Sequence, residues 1–489
     1  MSGLIMALQL ILGLGLLVFV HEGGHFLAAR CFGIRVTKFY LFFDTGFSLF
    51  KCKKIQGKWR FKFLSRNLPD TEEVKDENGE PVLDEKGKKK LKIIDVTKLP
   101  DDDWRKYPEH TEYGIGWLPF GGYCQISGMI DETQSIENLA SEPQPYEYRA
   151  HPAWQRLIVI LAGVTVNLIV GVGLFAMLLG VYEKEYLPNR AVTDGMYAYA
   201  NGRAIGFQSG DKILLVDGKE VERVEDATSP RIYFGAIVTV ERAGDTMDVV
   251  VTDKAYSLLK KGGAFLQPLN YPFYVDSLLS DMPADKAGLQ KYDKILSIND
   301  TILTPSWGAF AENIRLFKGE EVRLQILRDG DTLSKVLVTD SNGLVGVLAS
   351  TPDYRTVPYT AGQCLRYGWK DAMSMLYLNI KGLGKVFSGE DKVKDSVAGP
   401  IGIAQIYGGT WQWSRFWYIT GLLSLILAFM NVLPIPGLDG GHALFCLAEL
   451  VTGKKIPESF LQYAQTIGML LLFILMILII GNDIFKLFS

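Results

Sequence analysis

Four runs of apolar residues, each long enough to cross a lipid bilayer, constrain this 489-residue chain more than any other feature. A spanning helix needs about 20 mostly apolar residues. The runs extend from Leu4 to about Ala29, from about Leu157 to Tyr182, from about Phe416 to Leu433 with a continuation to Leu450, and from about Phe460 to Ile480. Between them the chain is as charged as any surface loop. The averages of 48% hydrophobic and 21% charged residues, ordinary for a globular protein, therefore conceal two kinds of segment. The expected fold class is a polytopic α-helical membrane protein with four transmembrane helices. The first run has no Lys or Arg before Arg30 and no small-residue cleavage site after it, so a spanning helix is expected there rather than a signal peptide.

Basic residues near the ends of the runs set the expected orientation. Arg30, Arg35 and Lys38 follow the first, Arg149 and Arg156 flank the start of the second, and Lys454 and Lys455 lie between the last two. This pattern predicts a cytoplasmic region over 31–155, a cytoplasmic turn over 450–459, and a region over 183–415 on the far side, the periplasm of a bacterial cell. The implied location is the bacterial inner membrane. Trp411, Trp413 and Trp417 suit the aromatic belt at the outer end of the third run. The helical pattern over 362–388 carries Leu365, Trp369, Met373, Leu376 and Ile380 on one face and Arg366, Lys370 and Lys381 on the other. An amphipathic helix lying in the membrane interface is expected.

Composition closes other routes. With 51 Lys+Arg against 54 Asp+Glu, no basic excess exists to follow a phosphate backbone, so nucleic acid is not an expected partner. Five scattered cysteines without a C-x-x-C pair exclude a disulfide framework and a cysteine zinc cluster.

Outside the apolar runs the chain repeats itself. Gly206-Phe207-Gln208-Ser209-Gly210-Asp211-Lys212-Ile213-Leu214 is echoed by Gly288-Leu289-Gln290-Lys291-Tyr292-Asp293-Lys294-Ile295-Leu296, an offset of 82 residues. The pattern, followed by a strand and a turn, resembles PDZ domains. It implies two tandem PDZ-like α+β domains over 186–268 and 269–355, which would take extended peptide ligands onto a sheet edge or serve only as steric spacers.

Chemistry enters with His21-Glu22-Gly23-Gly24-His25 inside the first run. On a helix the two histidines are one turn apart on one face and can share a zinc ion, with Glu22 beside them as general base. A carboxylate at bilayer depth costs about 2.5–3.5 kcal/mol on insertion scales, so the cluster needs something, such as a metal, to compensate it. Catalytic zinc takes three protein ligands and leaves one open position. The third apolar region contains Asn431-Val432-Leu433-Pro434-Ile435-Pro436-Gly437-Leu438-Asp439-Gly440-Gly441-His442, a helix break tolerated at membrane depth only beside protein or a wet cavity. On chemistry and spacing, Asp439 and His442 both qualify as the third ligand.

H-E-x-x-H in the first run, N-x-x-P-x-P-x-L-D-G in the third, and PDZ-like domains between them resemble the site-2 proteases, in particular the branch of bacterial regulator-of-sigma-E proteases. The likeness covers essentially the whole chain. It implies zinc on His21, His25 and Asp439, catalysis by Glu22, and substrate seating by Asn431, Pro434 and Pro436. Tyr113–Ile126 resembles the family's membrane-re-entrant β-loop, in which Gly121 and Gly122 would help an edge pair with substrate; a soluble hairpin is the plainer reading. Gly163 and Asn167 resemble the family's G-x-x-x-N pattern, and also suit close helix packing with one interhelical hydrogen bond. The charged stretch 66–110, with Lys88-Lys89-Lys90 and Asp101-Asp102-Asp103, reads as a solvated insertion.

The implied domain order is 1–30 first spanning helix, 31–155 cytoplasmic region, 156–185 second spanning helix, the two PDZ-like domains, the interfacial helix, 414–450 third spanning helix and 459–486 fourth. The implied activity is intramembrane hydrolysis of single-span membrane proteins already trimmed outside, such as anti-sigma factors or signal-peptide remnants, with the PDZ-like pair as a size filter. The competing expectation is a PDZ-bearing membrane scaffold or sensor whose zinc is not catalytic. A metal transporter, which needs more intramembrane ligands, ranks last.

Overall fold

The computed structural model describes residues 2–68, 71–73, 91–94, 96–119, 121–129, 142–252, 254–269, 273–299, 301–303, 306–350, 355–390 and 398–488. Residues 74–90 of the charged insertion, including Lys88–Lys90, lie outside the described residues. The chain forms two compact units, one built from Met1–Tyr182 and Ala361–Ser489, the other from Glu183–Thr360.

Among the described residues, the first unit holds four helices long and apolar enough to cross a membrane. They are α1 (Ser2–Cys31), α2 (Ala153–Leu178, continued by a π-helical turn), α5 (Trp413–Val432) and α7 (Glu458–Phe488). Shorter or more polar helices are α3 (Ala361–Phe387), α4 (Pro400–Tyr407) and α6 (Asp439–Thr452). In lipid no hydrophobic force drives helices together, so small residues and a few hydrogen bonds decide where they meet. On Gly24 of α1 a Cβ would stand 2.7 Å from the Ala162 carbonyl oxygen of α2, and on Gly171 of α2 it would stand 2.6 Å from Leu425 of α5. The Ser424 hydroxyl donates to the Asn167 carbonyl at 2.7 Å, tying α5 to α2. At the other end of α2, Arg156 pairs with the buried Glu449 of α6.

The α3 helix also packs by its small residues. Gly368 lies against Ala176 of α2, and Tyr367 and Ala372 are buried, whereas Leu365 and Trp369 are exposed. Of the large apolar residues read from the sequence, Met373 and Leu376 pack against the cluster of Phe175, Ala372 and Leu425, while Leu365 and Trp369 stay exposed. Asp483 in α7 is buried and accepts the N–H groups of Gly399, Ile401 and Gly402 at 2.9–3.0 Å, so a spanning helix supplies the cap that the first turn of α4 requires.

Five strands join in one sheet among the described residues: β1 (Val36–Leu41), β2 (Phe47–Ile55), β3 (Lys58–Arg66), β4 (Glu112–Ile115) and β5 (Tyr123–Ile126), in the order β3-β2-β4-β1-β5. Here the structure differs from a local hairpin. The two strand segments of 113–126 do not pair with each other. β1 lies between them, parallel to β4 and antiparallel to β5. Gly116 and Gly122 pass so close to the backbone of Phe43 and Tyr40 that a side chain would collide there.

The second unit contains two hydrophobic cores, one around Phe207, Val238 and Val240, the other around Phe273, Leu324 and Ile326. Each core backs a four-stranded sheet of the same order. The first runs 219–220, 212–216, 237–242, 245–250; the second runs 301–302, 294–298, 321–328, 331–338. The echoed sequence has a structural reason. Asp211 and Asp293 are wholly buried, accept the backbone N–H of Gln208 and Gln290 at 2.8 Å, and pair with Arg242 and Arg328 at 2.7 Å. A buried carboxylate needs that paired and hydrogen-bonded setting.

Candidate metal centre

The α1 helix keeps its 3.6-residue period through the motif, so His21 and His25 project from one face with their rings edge to face, centroids 4.8 Å apart. Both are buried. Room for them comes from α2, where a Cβ on Gly163 would lie 2.8 Å from Cε1 of each ring. His25 Nδ1 is 2.9 Å from the Val159 carbonyl oxygen, to which it can only donate, and this tautomer leaves the Nε2 lone pair free.

His21 Nδ1 lies 3.1 Å from the side-chain amide of Asn167. The Asn167 Oδ1 is buried without a hydrogen-bond partner, and Asn167 itself is wholly buried. Oxygen and nitrogen of an amide exchange places by a half-turn. With Oδ1 turned to the ring, Asn167 accepts from His21 Nδ1–H, and the lone pair of His21 is then on Nε2, the atom that faces Asp439. This partner of a metal-binding histidine is what orients such ligands in general.

Asp439 opens α6, after Pro434 and Pro436 have stopped the preceding helix and Gly437 has turned the chain at φ 98°. Gly440 and Gly441 sit against the backbone of 432–436, where side chains would collide, which lets the break fold tightly. Asp439 Oδ2 lies 3.2 Å from His21 Nε2 and 3.4 Å from His25 Nε2, yet it takes no well-aligned hydrogen bond from either. One ligand atom from each of the three residues falls within 4.8 Å of the other two. Two imidazole nitrogens and one carboxylate oxygen, mutually close, with the oxygen otherwise orphaned, make a donor set that suits zinc and leaves a fourth position open.

These groups line a cavity of about 410 Å³ whose remaining wall is largely apolar. Glu22, half-buried, lines it too, together with Asn431, Gly121, Gly122 and His442. The Asn431 amide nitrogen is 3.1 Å from His21 Nε2. Pro434 and Pro436 are not on the cavity wall; they lie in the break itself, with the Pro436 backbone against Gly468 of α7. His442 faces the cavity behind Asp439, and Gln465 of α7, buried and also on the wall, escaped the sequence reading although a lone amide in an apolar run is a visible signal. His110 and His151 are elsewhere, beside Glu109 and hydrogen-bonded to Gln155 respectively.

The sequence profile of Peptidase family M50 matches residues 9–66 and 102–475, which leaves only the middle of the charged insertion and the two ends of the chain unmatched. The Regulator of sigma E protease of Haemophilus influenzae is 26% identical over 505 residues, covering 98% of both chains. Protease RseP of Yersinia pestis is 27% identical over 523 residues, again 98% of each. A Neisseria meningitidis serogroup A protein whose name describes a zinc metalloprotease is 26% identical over 509 residues, 98% of this chain and 99% of that one. Four membrane-length helices, a buried donor set suited to zinc and a family match along most of the sequence converge: the chain belongs to peptidase family M50, the site-2 type of intramembrane zinc metalloprotease.

Proposed function

We propose that His21, His25 and Asp439 hold the zinc ion of this protease and that Glu22 is its general base. Zinc bound at such a site lowers the pKa of a water molecule and polarises a carbonyl. Glu22 takes the proton of the attacking water and passes it to the leaving amine nitrogen. Asn167 holds His21 in the tautomer with Nε2 free, and the Val159 carbonyl does the same for His25. Asn431 donates its amide hydrogens to the substrate backbone, and the interrupted helix around Pro434 and Pro436 supplies unpaired backbone groups beside it. A helical substrate cannot be cut as such, because its carbonyls are already hydrogen-bonded and shielded. It is held extended along β5 and the Gly121–Gly122 passage, the re-entrant element of this chain.

The observation that carries the reading is the meeting of three ligand atoms from α1 and from the start of α6, more than 400 residues apart in sequence, at one buried point. The substrates are single-span membrane proteins already shortened on the outer side, and the two repeats of the second unit are PDZ-like domains that exclude untrimmed ones. The metal centre opens toward the cytoplasmic side and the repeats are periplasmic, in keeping with the basic residues that flank the spanning helices. Glu22→Gln tests the assignment: purified protein should keep its zinc and lose cleavage of a trimmed single-span substrate. Undiminished cleavage by that variant refutes the role of Glu22 and leaves a non-catalytic scaffold as the better account.

A further inference from the structure

The sheet of the first unit has two faces of opposite chemistry. One is aromatic and begins at α1, where Phe39 packs edge-on against Phe19 at 5.7 Å and Phe26 at 5.5 Å. It continues outward through Tyr113, 6.2 Å from Trp59, and through Phe50, 6.2 Å from Phe61 and 5.3 Å from Phe63. Strand register makes this one surface: Lys54 pairs with Trp59, Cys52 with Phe61 and Phe50 with Phe63, while Cys52 also pairs with Tyr113. Near α1 the surface is covered. On β3 it is open, with Trp59 53%, Phe61 60% and Phe63 71% exposed.

The opposite face of the same strands is basic. From Phe47 to Arg66 there are seven Lys or Arg and no Asp or Glu; Lys54, opposite Trp59, is on the aromatic face and the other six alternate to this one. Lys58, Arg60, Lys62 and Arg66 on β3 are exposed. Lys51, beneath them on β2, is buried beside Glu112.

We propose that the β2–β3 hairpin is a lipid-contacting outrigger, its aromatic face in the acyl–headgroup boundary and its lysine and arginine side chains on anionic lipid phosphates. Two arguments select lipid as the occupant. The first is continuity. The aromatic face joins α1 beside Phe19 and Phe26, on the apolar run itself, where α1 also exposes Phe19 and Leu27. Three strand spacings carry it about 14 Å sideways from β1 to β3, so it meets what flanks a spanning helix. The second is composition. Protein interfaces deplete lysine at their centres, whereas aromatic rings with long basic side chains are the pairing of membrane interfaces and anionic leaflets. Lysine and arginine stems bend back to phosphate level while the rings stay in the apolar layer.

The test uses the full-length protein in nanodiscs of phosphatidylcholine with phosphatidylglycerol, the Trp59 emission being the difference between the natural chain and Trp59→Phe. Lipids brominated near the headgroup end of the acyl chain should quench that emission more than lipids brominated deep, and aqueous iodide should scarcely affect it. In the Trp59→Phe background, Arg60→Trp puts an indole on the other face and should be open to iodide. Replacing phosphatidylglycerol by phosphatidylcholine should reduce the shallow quenching of Trp59; equal quenching in both refutes the anionic-lipid contact. Iodide access to Trp59 without bromolipid quenching overturns the proposal. So does protection from both quenchers, which would put protein, not lipid, on this face.

Discussion

Gly163→Ala is the sharpest test of the metal centre, because one methyl group meets both imidazoles at once. An added Cβ would press directly on Nε2 of His25 and stand 2.8 Å from Cε1 of both rings, whereas ordinary contact begins near 3.4 Å, so the rings must retreat by at least about 0.6 Å or the helices must part. Metal–ligand distances tolerate about 0.2 Å. Overpacking of this kind costs about 1–3 kcal/mol. Expressed at the metal, that is a loss of about 5- to 150-fold in zinc affinity. Gly23→Ala is the matched control: it lies inside the motif, yet nothing is within 4 Å of its Cβ position. Competition against a fluorescent chelator, on detergent-purified protein of unchanged elution volume, measures both. Natural zinc affinity in Gly163→Ala, or an equal loss in Gly23→Ala, would refute the placement of the two rings around one ion.

Three further outcomes are expected. Asn167→Ala should weaken zinc binding about 10- to 100-fold, as removal of a ligand-orienting partner does, while Asn167→Asp retains most of it; the same chelator competition reads both. Glu449→Gln should destabilise the membrane unit by about 3–5 kcal/mol, since Arg156 is left charged and buried, and a lower unfolding temperature in detergent would show it. In the second unit, burial raises the Glu312 carboxyl, but hydrogen bonds from Arg203, Tyr197 and the Ala200 N–H outweigh it and hold the group below the ordinary carboxylate range. Its contribution is therefore present above the ordinary carboxylate pKa and lost as pH falls through the depressed one. Hydrogen exchange around Tyr197 and Trp307–Ile314 should accelerate over that acidic range in the natural chain, and Glu312→Gln should flatten the pH dependence.

Much was legible without a fold. Apolar run length announced the four spanning helices, because hydrocarbon thickness sets a minimum that no short-range contact alters. The i, i+4 histidines announced a shared ligand face, because helical period is local. The 82-residue echo announced two like units, since each buried Asp–Arg pair needs the same neighbours in both. Tertiary structure alone decided the rest. On chemistry and spacing alone Asp439 and His442 are equivalent, and only the meeting of α1 and α6 brings the orphaned Asp439 oxygen beside both imidazoles. Asn167 gains its role from the 3.1 Å approach of His21, 146 residues away. The strands of 113–126 looked adjacent but are parted by β1, and the close approach of α3 to α2 is made at Gly368 against Ala176. Period and length are properties of the chain, whereas strand order, ligand choice and lipid exposure depend on which distant backbones can approach, which here is set by glycines and by one broken helix.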